Sequence, residues 1–308
     1  MVLPTLNGGE RLRRCLSALR AQRPGADALV VVDSGSDDGS DRLAEEAGAT
    51  LLRIERADFR HGGTRNAAAR RLPEVDVIVF LVQDAIPQGS DWLITLAKAA
   101  LVPGVGAVTA RQVPPPEAGA LTAASVARSP FAATRARQVG PFSAQELEAL
   151  RPQAWRGRLL LDSVACAVRG ALFREVGFRD TDFGEDALLA YDLLWGGWAL
   201  AHEPRAVVEH GHVYDPQSVR ARYEQDARFF REQFGLRVRP HLLARLKGFL
   251  AELRADKRWQ REQGAGAALN GNLALRWAQV VAQQAGSVGP LGGLPHVRRV
   301  PGPQELAA

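Results

Sequence analysis

The sequence predicts an α/β fold, a mostly parallel central sheet flanked by helices and followed by a helical C-terminal extension. Three observations carry this. Short apolar runs, such as Ala28–Val32 and Val77–Val82, have the length of buried strands. Stretches with helical periodicity alternate with them, as in a sheet covered on both faces. Polar loops rich in Gly and Ser follow the apolar runs, where sheets of this kind bind ligands. The 308 residues suffice for one large domain with an appendage. No run approaches the ~20 apolar residues of a membrane-spanning helix. A composition that is 46% hydrophobic and 24% charged excludes a wholly disordered or collagen-like chain.

Taken in order, the elements are as follows. Met1 leads straight into Val2-Leu3-Pro4, so the first strand is expected either to be a stub or to begin upstream. Arg11, Arg13 and Arg14 interrupt any apolar leader, so no signal peptide is expected. Leu12, Leu16 and Leu19 fall at i, i+4 and i+7 and predict a helix over Glu10–Gln22. A strand at Ala28–Val32 ends in the acidic loop Asp33–Ser40, which leads into a helix at Ser40–Ala47 and a strand at Thr50–Ile54. After the loop Asp58–Gly63 come a helix over Thr64–Arg71 and the strongest strand, Val75–Val82. Residues 113–160, with Pro114-Pro115-Pro116 and many small side chains, read as a long surface excursion, a lid or acceptor loop. Order resumes at Leu159–Val168, Gly184–Leu194 is helical, and a short strand Ala199–Ala201 leads to Pro204–His210. From Gln217 the chain reads as helices separated by Gly and Pro. The segment from residue 289, punctuated by Pro290, Gly292, Gly293, Pro295, Pro301 and Pro303, lacks a core pattern and is expected to fray. The expected division is a body over 1–213, a helical extension over 214–288 and a flexible tail over 289–308.

The net charge of +5 is unevenly placed. From residue 211 onward 15 Lys and Arg stand against 8 Asp and Glu, about +7, which leaves the body near −2. Such a basic C-terminal third suits an anionic neighbour, or it is simply a solvated face. The two cysteines, Cys15 and Cys166, fall in apolar surroundings and read as buried thiols of a reducing compartment.

Four polar constellations could carry chemistry. Asp33, at a strand end, could accept hydrogen bonds from a ribose or a base, while Ser36, Asp38 and Ser40 read as turn and cap residues. In His61-Gly62-Gly63-Thr64-Arg65-Asn66, glycines at a helix start admit a ligand and an arginine can hold a diphosphate; the alternative is a Gly-rich turn with a surface arginine. In Gln83-Asp84 the carboxylate directly follows an apolar strand, so it must reach solvent or a cation, unless it caps the next helix. Glu185-Asp186 could supply a general base, or could only complement a helix dipole. His210 follows a strand and could be a ligand or a structural residue.

The order of these pieces resembles the inverting nucleotide-sugar glycosyltransferases of family 2, which have the GT-A fold, over about residues 2–235. Leu3-Pro4-Thr5-Leu6-Asn7-Gly8-Gly9 is similar to the family's first strand and nucleotide loop. Val32-Asp33-Ser34-Gly35-Ser36 with Asp38-Gly39-Ser40 is similar to its second. Thr64-Arg65-Asn66 matches its Ala/Thr-Arg-Asn signature, Glu185-Asp186 its base motif, and Pro204–His210 the strand that delivers a metal-binding histidine. Within the family the wording is most similar to bacterial rhamnosyltransferases, through Phe59–Asn66, Gln83-Asp84-Ala85-Ile86-Pro87 and Ala110-Arg111-Gln112-Val113-Pro114. One departure is clear: the usual Asp-x-Asp has Val82 in its first place and keeps only Asp84.

The resemblance implies that residues 1–213 form a nucleotide-sugar-binding catalytic GT-A domain. Asp186 and Glu185 are then catalytic, with Asp186 the base. Pro4, Asn7, Asp33, His61, Gly63, Arg65, Asn66, Gln83 and Asp84 bind the donor, and Asp84 and His210 hold Mg²⁺ or Mn²⁺. The implied reaction moves L-rhamnose from dTDP-rhamnose, with inversion, onto a hydroxyl of a cell-envelope or lipid-linked glycan. Implied partners are that nucleotide sugar and that acceptor, in the cytoplasm. The helices Ser218–Phe234 and Pro240–Arg258 mix Arg and Lys with Leu and Phe, as an interfacial helix at an anionic membrane face would. Helices packed on the catalytic domain, or at a homodimer interface, are the alternative. Two other donor or activity readings stay open, a UDP-hexose donor and an inactive nucleotide-binding homologue. Nucleic acid is not expected as a partner, because the aromatics are not interleaved with Arg and Lys on strands.

Overall fold

The computed structural model describes residues 1–211, 215–263 and 272–307. The expected boundary between residues 213 and 214 lies outside the described residues. The first half alternates strand and helix: β1 (Val2–Thr5), α1 (Gly9–Arg20), β2 (Val30–Asp33), α2 (Ser40–Glu46), β3 (Thr50–Arg53), α3 (His61–Ala69) and β4 (Val77–Leu81). Next come β5 (Ile86–Pro87), α4 (Trp92–Ala100) and the long β6 (Val105–Val113). The excursion expected over 113–160 contains α5 (Ala120–Ala127), β7 (Arg137–Val139), α6 (Ala144–Glu148) and α7 (Pro152–Arg156). The body closes with β8 (Ala165–Arg169), α8 (Gly170–Val176), α9 (Glu185–Trp195) and β9 (Ala199–Glu209). Three long helices follow, α10 (Pro216–Phe234), α11 (Leu242–Gln263) and α12 (Asn272–Gly286).

Among the described residues, nine strands form one sheet in the order β3-β2-β1-β4-β8-β6-β9-β5, with β7 added on β9. The sheet is mixed where the sequence predicts mostly parallel. Four pairings are parallel and four antiparallel. The reason is β8, which runs antiparallel between β4 and β6. Its Ala-Cys-Ala-Val run is buried throughout, and a strand covered on both faces looks apolar whichever way it runs. Likewise, the strands expected at Ala199–Ala201 and Pro204–His210 are one strand, β9, whose pairing with β6 shifts register at Val105/Ala107 and at Ala110/Arg111.

Alternation along the strands divides the core into two layers. Leu3, Val31, Val79 and Leu81 pack with Leu12, Leu16, Trp92 and Leu96 of α1 and α4. Val2, Val30, Val32, Ile78 and Phe80 face the other way, onto α3, α8, α9 and α10. On that side Trp155 and Tyr191 pack against Phe234, and Phe229 packs edge-on against Phe183. The aromatic face of α10 is therefore built into the body. This corrects the interfacial reading of Ser218–Phe234, because the phenylalanines that suggested membrane contact are the ones that face inward.

The segment from residue 289, expected to fray, is also tied down. Tyr191 Oη donates to the Pro295 carbonyl (3.0 Å) and Trp198 Nε1 to that of Pro301 (2.8 Å). Arg298 reaches the buried Asp192 carboxylate (2.8 Å) and the carbonyls of Val176 and Gly177, and Val300 joins the core. Its bonds run between side chains and backbone in extended chain, which leaves no periodic signature in the sequence.

Candidate active site

The C-terminal ends of β1, β2 and β4 hold three loops against one another. Register places Thr5 beside Asp33. Gln83, just after β4, accepts from Thr5 Oγ1 (2.6 Å) and Leu6 N (2.9 Å) and donates to the Leu6 carbonyl (3.1 Å). Asn7, with φ of 47°, donates its backbone N–H to Ser36 Oγ and accepts from Asp37 N. Gly8 and Gly9 donate to Ser40 Oγ and Asp38 Oδ2. A Cβ on Gly8 would press on both Leu12 and Gln83. Asp33 is buried, and its carboxylate accepts from Gly35 N (3.2 Å), Ser36 N (3.1 Å) and the Ser36 hydroxyl. Ser36, Asp38 and Ser40 thus serve as loop residues that tie these strand ends together, while the N-cap of α2 is Gly39, with no side-chain cap.

At the start of α3 the glycines have a different partner from the expected ligand. Any Cβ on Gly62 would collide with the Arg179 carbonyl, and one on Gly63 would crowd Asp180. They let α3 close on the loop 178–180. Asn66 fixes the same loop, donating to the Phe178 carbonyl (2.8 Å) and accepting from Phe178 N (2.9 Å). Arg65 then lies buried, donating to the His61 carbonyl (2.9 Å) and paired with Glu185 Oε1 at 3.2 Å. Its Nε has no hydrogen-bond partner among the described residues. Burial holds His61 below the usual histidine range, against the opposing pull of Glu185.

Glu185 and Asp186 open α9, whose N-cap, Gly184, has φ of 74°. A side chain there would run into the Phe229 ring, so this glycine sets both the turn and the placement of the acidic pair. Glu185 accepts from Ser163 Oγ (2.9 Å). Asp186 accepts two backbone N–H bonds, from Ser163 to Oδ2 (3.1 Å) and from Ala187 to Oδ1 (2.7 Å). Asp186 keeps part of its surface open to a cavity, yet it is recessed among protein atoms. Burial, then the charges of Glu185 and Asp162, push its pKa up to about 7, and the two N–H bonds only partly offset this.

Across the cavity, Asp84 Oδ1 and His210 Nε2 are 3.9 Å apart, with Arg11 3.6 Å from the other Asp84 oxygen. Gln112 in β6 orients the histidine. Its amide nitrogen donates to Asp162 Oδ2 (2.8 Å), so its amide oxygen is the atom facing His210 Nδ1 (3.2 Å). A carboxylate cannot donate, which makes Nδ1 a protonated nitrogen; in the neutral imidazole Nε2, on the Asp84 side, then carries the lone pair. No third His, Cys, Asp or Glu among the described residues completes a metal-holding cluster. One carboxylate and one imidazole suit a Mg²⁺ or Mn²⁺ ion that keeps waters and takes oxygens from a diphosphate, and do not suit an ion caged by protein alone.

The cavity, about 920 Å³, brings together His61, Arg65, Asp84, Glu185, Asp186 and His210. Pro4, Asn7, Asp33, Gly63, Asn66 and Gln83 are not on its wall. Pro4, Asn7, Asp33 and Gln83 lie in the adjoining strand ends and loops, and Gly63 and Asn66 in α3. Sequence reasoning missed Gln112, Asp162 and Ser163, and also the far wall, where α10 supplies Arg222, Tyr223 and Phe229. The available signal was Asp162-Ser163 breaking an otherwise apolar run from Leu159 to Val168.

Comparison with known proteins adds four findings. The profile of Glycosyl transferase family 2 matches residues 1–142. The O-antigen chain rhamnosyltransferase RfbN of Salmonella typhimurium is 32% identical over 231 residues, which is 72% of this chain and 69% of that protein. The O-antigen chain rhamnosyltransferase WbaN of Salmonella anatum is 27% identical over 228 residues, with the same coverage of 72% and 69%. Among solved structures, a mannosyltransferase from Pyrobaculum calidifontis, PcManGT, in complex with GDP-Man and Mn²⁺, superposes with a TM-score of 0.56 at 19% identity. It covers 93% of this chain and 84% of that one, a likeness of fold.

Proposed function

The chain belongs to glycosyl transferase family 2, and from that premise we propose that it transfers L-rhamnose from dTDP-rhamnose, with inversion, onto a hydroxyl of a cell-envelope or lipid-linked glycan. The observation that carries the mechanism is Asp186. It is a recessed carboxylate with its pKa near 7, fixed by two backbone N–H groups and set in the same cavity as the Asp84–His210 pair. A base is most effective when its pKa lies near the working pH. Identity to two O-antigen rhamnosyltransferases supports the sugar.

In this mechanism Asp186 accepts the proton of the acceptor hydroxyl as its oxygen attacks the anomeric carbon, and the bond to the nucleoside diphosphate breaks on the opposite face. Glu185 acts indirectly: its charge raises Asp186, and its ion pair orients Arg65. Arg65 brings a buried guanidinium to the cavity wall, and a guanidinium suits a diphosphate oxygen. Asp84 and His210 would hold a divalent cation, which when bound supplies positive charge to the leaving diphosphate. The loops around Asn7 and Asp33 would receive base and ribose, with Pro4 and Gln83 fixing the strand ends beneath. Buried thiols at Cys15 and Cys166 are in keeping with a cytoplasmic setting for this reaction.

Calorimetry against a panel of nucleotide sugars, with and without Mn²⁺, tests the donor. The expected result is tightest binding of dTDP-rhamnose, strengthened by the metal. Tighter binding of a UDP-hexose would overturn the rhamnose reading.

A further inference from the structure

The C-terminal helices carry an exposed surface that the transfer reaction does not use. On α11, Leu242, Leu243, Leu246 and Leu250 are 42–55% exposed. At 100° per residue these four fall within one third of the helix circumference. Phe249, half-buried beside them, packs edge-on against Trp277 of α12, itself 39% exposed.

Charge on α11 is divided between its two sides. Its two interior acids face the protein: Asp256 is buried and held by Arg276 (2.8 Å) and Arg128 (2.9 Å), and Glu252 pairs with Arg128 (2.8 Å). Lys247, Arg254, Lys257, Arg258 and Arg261 are all exposed, and among α11 residues only Glu262, at its end, opposes them there. The outward side is thus a leucine stripe bordered by cations. A soluble helix of this length normally turns its leucines inward and its charges outward.

We propose that this face of α11 docks on an anionic lipid bilayer, the leucines entering the headgroup–acyl boundary and the Lys and Arg side chains meeting lipid phosphates. Among the described residues no helix is long and apolar enough to cross a membrane, so the contact is peripheral. Complementarity selects the bilayer: one surface presents apolar and cationic groups together, and a nucleic acid would leave the leucines in water. The same helix is bolted to the active-site cavity. Arg276, which holds Asp256, also donates to Ser125 of α5 (3.1 Å), and Ser125 lines the cavity. Docking would therefore orient the cavity relative to the lipid surface. The proposal does not depend on which sugar is transferred.

Flotation with vesicles of phosphatidylcholine alone and of phosphatidylcholine with phosphatidylglycerol tests it, using the full chain. The expected result is binding to the anionic vesicles only, weakened at 0.5 M salt. Each Lys or Arg near such a surface is worth about fivefold in partitioning, so Lys257→Ala with Arg258→Ala should lose roughly 25-fold. Leu246→Ser with Leu250→Ser should lose about tenfold or more. Neither pair touches the cavity, so both should keep wild-type melting temperature and nucleotide-sugar binding. Absence of vesicle binding by the wild type would overturn the proposal, as would unchanged binding by both variants. So would a concentration-dependent dimer in sedimentation velocity that the leucine variant abolishes, since the face would then pair with a second copy.

Discussion

Replacing Asp186 with Asn should stop transfer and, above neutral pH, make the protein more stable. Folding moves the Asp186 pKa from its ordinary 3.8 up to about 7. The native state therefore holds a proton that the unfolded chain has released between about pH 4 and pH 7, and stability falls as pH rises through that window. A shift of about 3 units corresponds to about 4 kcal/mol of destabilisation above pH 7. Asn carries no charge, so the variant escapes this penalty. It also has one acceptor oxygen for the two N–H groups of Ser163 and Ala187, which costs about 1–3 kcal/mol. The net gain at pH 8 is about 1–3 kcal/mol, or roughly 2–6 °C in melting temperature for a chain of this size. At pH 4 the gain should vanish, leaving the variant equal to or below the wild type. Differential scanning calorimetry at the two pH values reads this directly. A variant less stable than the wild type at pH 8 would refute the assignment of Asp186 as a recessed, charge-strained base.

Other outcomes follow from the same geometry. The wild-type kcat/KM should fall about tenfold per unit below about pH 7 as Asp186 takes up its proton, measured by a pH–rate profile. Gln112→Leu removes the partner of both His210 Nδ1 and Asp162, and should weaken the apparent Mn²⁺ affinity by about 10- to 100-fold in a metal titration. Gly184→Ala forces a side chain onto the Phe229 ring at φ of 74°; it should cost about 2–4 kcal/mol in denaturant unfolding. Arg298→Ala should cost about 2–4 kcal/mol in the same assay, because it strips one of two arginines from the buried Asp192.

The parts of this fold that repeat were legible in the sequence. Leu12, Leu16 and Leu19 announce α1 by their spacing, and the runs at Val30–Asp33 and Val77–Leu81 announce β2 and β4 by length. Direction was not legible: β8 is apolar because helices cover both its faces, and that says nothing of which way it runs. The tail from residue 289 was misread because carbonyl groups receiving bonds from Tyr191, Trp198 and Arg298 hold it, and carbonyls have no residue code. In the site, the residues whose neighbours in sequence share their task were found, Glu185 with Asp186 and His61 with Arg65. Gln112 and Asp162 escaped because each works through a partner about 50 residues or more away: Gln112 is 50 positions from Asp162 and 98 from His210. α10 presented the opposite difficulty. Its phenylalanines suggested a lipid face, and only the positions of Trp155, Tyr191 and Phe183 reveal what they cover.

The proposed reaction is inverting transfer of rhamnose with Asp186 as the base. Proton NMR of the sugar first released from dTDP-rhamnose, with water as acceptor in the presence of Mn²⁺, tests it most directly. The expected product is an anomer opposite in configuration to the donor's, with none formed by Asp186→Asn. A product of the donor's own configuration, or undiminished release by that variant, would contradict it.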